Sequence, residues 1–206
     1  FGMEFVKEFA IFLFKNNIIK FGNFTLSSGK KSSYYIDLRL VPSFPHQFRK
    51  MIKNLQKLII EKIGLDNFDS LVSIPTGGLI IGSALAIETV KPLIYVRNKP
   101  KDHGTAKSLE GKILSGMQVM MIDDVATTGT SILNGIKELK AEGLSISNAC
   151  VIINRLEGAD KILNSVGVIL HQLTDILEIT ETLFQEKLVS EDILEEIKKQ
   201  VSQNHS

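Results

Sequence analysis

A chain of 206 residues that is 44% hydrophobic and 23% charged, with 24 basic side chains against 23 acidic, has an ordinary globular composition, which excludes fibrous and wholly disordered architectures. At this length roughly 70% of the unfolded chain's surface is buried on folding, so neither disulfides nor a structural metal is needed for stability. The formal charge of +1 predicts little non-specific attraction to nucleic acid or to an anionic membrane, so basic residues inform by position and not by total.

Residues 4–16 place Phe5, Phe9, Phe12 and Leu13 at helical spacing, which predicts an amphipathic helix. The apolar run 9–14 is too short and too closely flanked by acid for a signal peptide. Residues 21–40, rich in Gly, Ser, Thr and Tyr, predict short strands and turns. After Pro45, the spacing Phe48, Ile52, Leu55, Ile59 predicts a second helix whose Lys50, Lys53 and Lys57 form a solvated face. The uncharged stretch 70–87 approaches the length of a membrane span, but Pro75, Gly77, Gly78 and Gly82 break it into strand, loop and helix. Short apolar runs at 70–74, 93–97, 118–122, 149–153 and 166–173 predict strands covered on both faces. Helical patterns fall between several of them, at 80–90 and at 131–142. The second has Ile132, Ile136 and Leu139 as its stripe and Gly143 as its stop. Alternation of this kind predicts an α/β fold with a doubly wound, mostly parallel sheet and ligands at the strand C-termini. The last forty residues predict terminal helices, with Asp175 and Ser190 as caps. The single cysteine, Cys150, lies in an apolar strand run; it reads as a buried strand residue of a protein from a reducing, cytoplasmic compartment.

Chemistry concentrates at 119–131, where an apolar strand runs into Asp123 and Asp124, then Val125, Ala126, Thr127, Thr128, Gly129, Thr130 and Ser131, and then a helix. Gly129 permits close backbone approach, the hydroxyls donate, and the helix N-terminus adds amides and partial positive charge; together they form a cradle for a phosphate. Two carboxylates would repel that phosphate, so they face donors such as ribose hydroxyls or a hydrated cation. The glycine spacing from Gly77 to Gly82 is not a nucleoside-triphosphate loop, because Ser83 and Ala84 stand where lysine and Ser or Thr are required.

The 119–131 stretch resembles the 5-phosphoribosyl 1-diphosphate signature of the type I phosphoribosyltransferases. The resemblance implies that the acidic pair lies over the ribose 2- and 3-hydroxyls while the loop holds the 5-phosphate. The run Arg97-Asn98-Lys99-Pro100-Lys101-Asp102-His103-Gly104 is similar to the catalytic loop of orotate phosphoribosyltransferases. That likeness implies a mobile cationic loop, 98–111, closing over the diphosphate of a partner subunit in a homodimer, with Lys101 and His103 catalytic and Arg97, Lys99 and Asp102 binding substrate. The segment from Phe24 through Ser27 and Tyr34-Tyr35-Ile36-Asp37 to Arg39 is similar to the orotate side of those enzymes, with Ser27 on the substrate and Tyr35 and Ile36 near the pyrimidine. Arg155, in Val151-Ile152-Ile153-Asn154-Arg155, matches the arginine that pairs with the orotate carboxylate, a role its bidentate fork suits. Thr76, Gly77 and Gly78 complete the expected substrate contacts. Departures bear on the charge balance: Ser27 and Asn98 stand where lysines are usual, and Gly77 where some members have lysine.

The resemblance spans roughly residues 21–158. It implies a type I phosphoribosyltransferase fold occupying 1–206 as a single domain, with 1–45 contributing a small N-terminal hood and 46–206 the core and terminal helices. The implied reaction is transfer of 5-phosphoribosyl to orotate, giving orotidine 5-phosphate and diphosphate in pyrimidine (UMP) biosynthesis. No metal is held by the protein alone; Mg2+ is expected through the donor's diphosphate and ribose oxygens. Association with orotidine 5-phosphate decarboxylase belongs to the same expectation, with neither nucleic acid nor membrane as partner. Two other readings stand beside it: transfer to a purine base, against which Arg155 argues, and a non-catalytic donor-sensing regulator that binds nucleic acid, against which the near-neutral charge argues.

Overall fold

A computed structural model describes residues 2–97 and 108–204. The chain opens with α1 (Met3–Lys15), followed by an antiparallel hairpin of β1 (Ile19–Thr25) and β2 (Lys31–Ile36), a short 3-10 turn, and α2 (Pro45–Lys62). There follow β3 (Ser70–Ser73), α3 (Gly77–Thr89), β4 (Leu93–Val96), β5 (Leu109–Glu110), β6 (Gln118–Ala126), α4 (Thr130–Ala141), β7 (Ser145–Asn154), α5 (Ala159–Ser165) and β8 (Ile169–Asp175). Two helices, α6 (Ile176–Gln185) and α7 (Glu191–Gln203), end the chain.

The main sheet has the order β5-β4-β3-β6-β7-β8, parallel except for β5, which runs antiparallel to β4. Winding starts at β3, passes to β4 on one side and then crosses to β6 on the other. The strand order therefore reverses between β3 and β6, and a crevice opens beyond their C-terminal ends.

The period of two along each strand builds two cores from continuous apolar runs. Leu71, Met120, Ile122, Cys150 and Ile152 face one side, where α1, α2, α3, α6 and α7 cover them through residues such as Phe9, Leu55, Leu85, Ile179 and Ile197. Val72, Val119, Met121, Ala149 and Val151 face the other, under Ile132, Ile136 and Leu139 of α4 and Leu163 of α5. Each fully buried aliphatic side chain contributes about 1.5–3 kcal/mol. Cys150 is fully buried, and burial raises its thiol pKa, so it is a strand residue as expected.

The helix signals act as the sequence predicts. Pro45 occupies the first turn of α2; the Asp175 carboxylate accepts from Glu178 N and the Ser190 hydroxyl from Ile193 N. Beyond α4, Gly143 takes φ +75° and its N–H reaches Lys140 O at 3.1 Å.

Three expectations are corrected. The final strand begins at Ile169 rather than 166, because Val166 and Val168 close the turn after α5 on Leu163 O. β6 continues through Asp123 to Ala126, since its ladder to β7 runs on past the apolar segment. The expected loop 98–111 does not extend to its far end: Leu109 and Glu110 pair with Val96 and Tyr95, and Leu109 is buried in the second core. The lysine row on α2 is exposed, as expected, and carries surface ion pairs, Lys50 with Glu8 at 2.8 Å and Lys53 with Glu88. Among the described residues, no helix is long and apolar enough to cross a membrane.

Candidate active site

The crevice between β3 and β6 receives the acidic pair at the end of β6. Asp123 is buried at 8% exposure, and its Oδ1 accepts from Asp124 N at 2.8 Å. Burial and the neighbouring Asp124 carboxylate hold the Asp123 carboxyl well above the usual carboxylate range. Asp124 accepts from Val125 N at 2.8 Å and turns toward the open side.

The N-terminus of α3 comes against these carboxylates from β3, after a cis peptide between Pro75 and Thr76. A Cβ on Gly77 would lie 1.9 Å from Asp124 Oδ2, and one on Gly78 would lie 2.9 Å from both Asp123 Oδ1 and Ile122 O. Glycine at both positions is what lets the helix start meet the acidic pair. A side chain at position 77 would overlap the Asp124 carboxylate where it lies, so one of the two would have to move.

A cavity of about 640 Å³ runs from this point toward the hairpin. It brings together Ser27, Tyr35, Ile36, Thr76, Gly77, Asp124, Val125, Thr127, Thr128 and Arg155, which the sequence nominated from four separate segments. A smaller cavity of about 30 Å³ is lined by Asp123, Val125, Ala126, Thr127, Gly129 and Ser131, the loop into α4. Gly129 takes φ +85°, and no side chain caps the first amides of α4, so these remain directed at the loop. The Thr128 and Thr130 hydroxyls share a hydrogen bond of 3.0 Å at its edge. Gly78 is buried behind the cavity wall and Thr130 is exposed; neither lines the two cavities.

Arg155, just past β7, is 4% exposed. Its Nε donates to Glu157 Oε1 at 3.1 Å and its Nη2 to Ser32 Oγ at 3.1 Å, and the guanidinium lies 4.1 Å from the Tyr34 ring centroid. Tyr34 itself is buried, which raises its phenol pKa; Tyr35 is the tyrosine on the cavity, 5.9 Å from the Phe24 ring. Arg97 lies at the end of β4, paired with Glu110 at 2.7 Å, and lines neither cavity. Asn98, Lys99, Lys101, Asp102 and His103 lie outside the described residues.

Sequence reasoning missed Lys30, Asp37, Arg39 and Glu157, all of which line the larger cavity. Asp37 and Arg39 form a two-pronged pair, Nε to Oδ1 at 2.7 Å and Nη2 to Oδ2 at 3.0 Å, which lowers the Asp37 pKa. The available signal was Asp37 as a cap two residues before Arg39: its carboxylate accepts from Arg39 N at the start of the 3-10 turn that follows β2. Among the described residues, no cluster of three or more His, Cys, Asp or Glu side chains is arranged to hold a metal ion.

Comparison with known proteins bears on what this crevice does. The phosphoribosyl transferase domain family matches residues 46–185. The chain is 47% identical over 195 residues to the orotate phosphoribosyltransferase of Cenarchaeum symbiosum (strain A), covering 95% of this chain and 98% of that one. It is 40% identical over 187 residues to the orotate phosphoribosyltransferase of Staphylothermus marinus, covering 90% and 89%. The crystal structure of orotate phosphoribosyltransferase from Aeropyrum pernix superposes with a TM-score of 0.76 at 34% identity, over 88% of this chain and 99% of that one. The structure of Leishmania donovani UMP synthase superposes at 0.84 and 28% identity over 96% of this chain, which spans 42% of that longer protein. A strand-order reversal carrying an acidic pair and a hydroxyl-rich loop, together with matches of this extent and identity, establishes that the chain belongs to the orotate phosphoribosyltransferase family of phosphoribosyltransferases.

Proposed function

We propose that the protein transfers the 5-phosphoribosyl group of 5-phosphoribosyl 1-diphosphate to orotate, forming orotidine 5-phosphate and diphosphate. The observation that carries this reading is that one cavity joins a base end, formed by Tyr35, Ile36 and Arg155, to a sugar end, formed by Asp124, Thr127 and Thr128. Orotate enters with its carboxylate toward Arg155, whose remaining donors suit a planar anion. The sugar lies over Asp124, which accepts from ribose hydroxyls, and the 5-phosphate rests in the loop 127–131 against the uncapped amides of α4. The ring N1 of orotate forms the bond to C1 of the ribose as the C1–oxygen bond breaks, and the diphosphate leaves with that electron pair. The base gives up its N1 proton, which the departing diphosphate can take up.

Positioning and fixed charge do the catalytic work, with no covalent intermediate on the protein. The buried Asp123, whose carboxyl is held above the usual carboxylate range by burial and by Asp124, accepts from Asp124 N and so holds the backbone that aims Asp124. Lys101 and His103 neutralise the departing diphosphate, and Arg97, Lys99 and Asp102 bind substrate; these roles rest on the resemblance of their segment. A magnesium ion fits the donor set, because Asp124 offers one half-buried carboxylate on the cavity and such ions are held by one or two carboxylates plus substrate oxygens. When bound, it would supply charge neutralisation at the diphosphate and ribose oxygens.

A homodimer in which 98–111 acts in trans, and a cytoplasmic location, belong to the same proposal, the latter supported by the single, buried free cysteine. Superposition on 42% of the Leishmania donovani UMP synthase chain supports association with orotidine 5-phosphate decarboxylase. The test is orotate consumption by purified protein with donor and magnesium. Loss of orotate absorbance with release of diphosphate is expected; no consumption of orotate, or preference for a purine base in competition, overturns the reading.

A further inference from the structure

The C-terminal helix α7 lies along the hairpin, and the two enclose a second cleft of about 840 Å³. Gln200 Oε1 accepts from Ser33 N at 3.0 Å, Glu196 Oε1 accepts from the Ser33 hydroxyl at 2.7 Å, and Gln200 Nε2 reaches Ser32 Oγ at 3.4 Å. Ser32 is 5% exposed and lies behind the substrate cavity, not on it. Its hydroxyl donates to Tyr34 O at 2.9 Å and accepts from Arg155 Nη2 at 3.1 Å. A continuous line of polar contacts thus joins the last helix of the chain to the arginine at the base end.

The geometry of Arg155 shows what that contact does. A guanidinium held only through Nε to Glu157 pivots about that bond. The Tyr34 ring beneath its face restricts tilt, and Ser32 at Nη2 fixes the remaining rotation. Among the described residues no protein group takes Nη1. The fork is therefore clamped on one side and presented on the other. Bidentate recognition of a carboxylate depends on the direction of that fork more than on its charge.

We propose that Ser32 is a positioning residue that sets the direction of the Arg155 fork, and that α7, through Gln200 and Glu196, holds the strand carrying Ser32, which makes the C-terminal helix a determinant of selectivity for a carboxylated pyrimidine. The inference rests on the proposed reaction and deepens it. Ser32→Ala removes the clamp while leaving Glu157 and the charge of Arg155 in place.

The test varies orotate and donor separately in steady state and measures inhibition by uracil, which lacks the carboxylate. For Ser32→Ala, the KM for orotate is expected to rise roughly ten-fold, a change of about 1.4 kcal/mol. The KM for donor and inhibition by uracil stay as in the unaltered protein. Gln200→Leu gives a smaller rise in the same parameter alone, and it decides the matter should Ser32→Ala not fold. A variant that loses thermal stability with both KM values unchanged, or with both raised equally, shows a structural role only and overturns the inference. Unaltered protein that consumes no orotate overturns the proposed reaction and the inference together, whereas active protein with indifferent variants overturns the inference alone.

Discussion

Gly77→Ala perturbs the tightest approach in the site. The added methyl would sit 1.9 Å from Asp124 Oδ2, 2.4 Å from its Cγ and 3.1 Å from its Cβ. The carboxylate must therefore withdraw by about 1.5 Å to restore ordinary van der Waals contact, which turns it off its rotamer at a cost of about 1 kcal/mol. The same movement weakens the 2.8 Å bond from Val125 N, a hydrogen bond to a charged acceptor that contributes about 1.5–3 kcal/mol. Alanine recovers about 0.5–1 kcal/mol relative to glycine in a helix. Net destabilisation of about 1–2 kcal/mol follows, which lowers Tm by only a few degrees in a chain of this size. Activity responds far more, because displacing a group that orients the sugar by about 1 Å costs on the order of 100-fold in rate. Steady-state kinetics with orotate and donor, alongside a thermal melt, should show kcat/KM down about 100-fold and a folded protein. Adding Gly77→Ala to Asp124→Ala should cost little more, since the methyl then has no carboxylate to displace. Unchanged activity in the single variant, or additive losses in the double, refutes the reasoning that Gly77 exists to admit Asp124.

Asp123→Asn should stabilise the protein near neutral pH while reducing turnover. The folded pKa of Asp123 is raised by burial and by Asp124, so its destabilising effect grows as pH rises from the ordinary carboxylate pKa through the folded one. The Tm of the variant should exceed that of the unaltered protein by about 2–4 °C at neutral pH and converge with it in acid; a lower Tm at every pH counts against this account. His171, whose pKa is lowered by burial and then by Lys62, receives the opposite treatment. Its contribution to stability is fully present above its ordinary pKa of about 6.5 and declines as pH falls through the folded value. Denaturant midpoints of the unaltered protein and of His171→Gln, whose amide can still donate to Asn148, should therefore draw together on acidification; parallel curves would remove His171 from the pH response.

Much of this architecture was legible because its signals are periodic or rest on single residues with one strong preference. The stripe Ile132, Ile136, Leu139 and the stop at Gly143 locate α4 within a residue at each end. β5 was not legible: two residues carry no period, and Leu109 is buried by tertiary pairing with β4 rather than by any pattern of its own. α5 escaped for a similar reason, being a seven-residue helix with only Ala159 and Leu163 buried. The acidic pair hid the length of β6, since charge normally ends a buried strand, and here the crevice at the strand-order reversal receives it. In the site, the segments most distinctive in sequence converge on one cavity. Asp37, Arg39 and Glu157 were overlooked because a charge beside its counter-charge reads as a solvated pair, and only the fold shows that Glu157 keeps 3% of its side-chain surface exposed. Arg97 is the reverse case: prominent in sequence, it is joined to Glu110 at the sheet edge.

The small strand β5 has a wider consequence. Arg97 N donates to Ser108 O at 2.7 Å, and the Arg97–Glu110 ion pair lies beside it, so the two ends of the connection 98–107 are fastened together at the border of the sheet. Changing the length of a run whose ends are already joined alters its closure entropy slowly, by about 0.6 kcal/mol for each doubling. Closure of the sheet border is thus only weakly dependent on the length of the segment that carries Lys99, Lys101, Asp102 and His103. A lineage of such proteins can lengthen or shorten that segment while the same two flanking residues keep the border of the sheet closed.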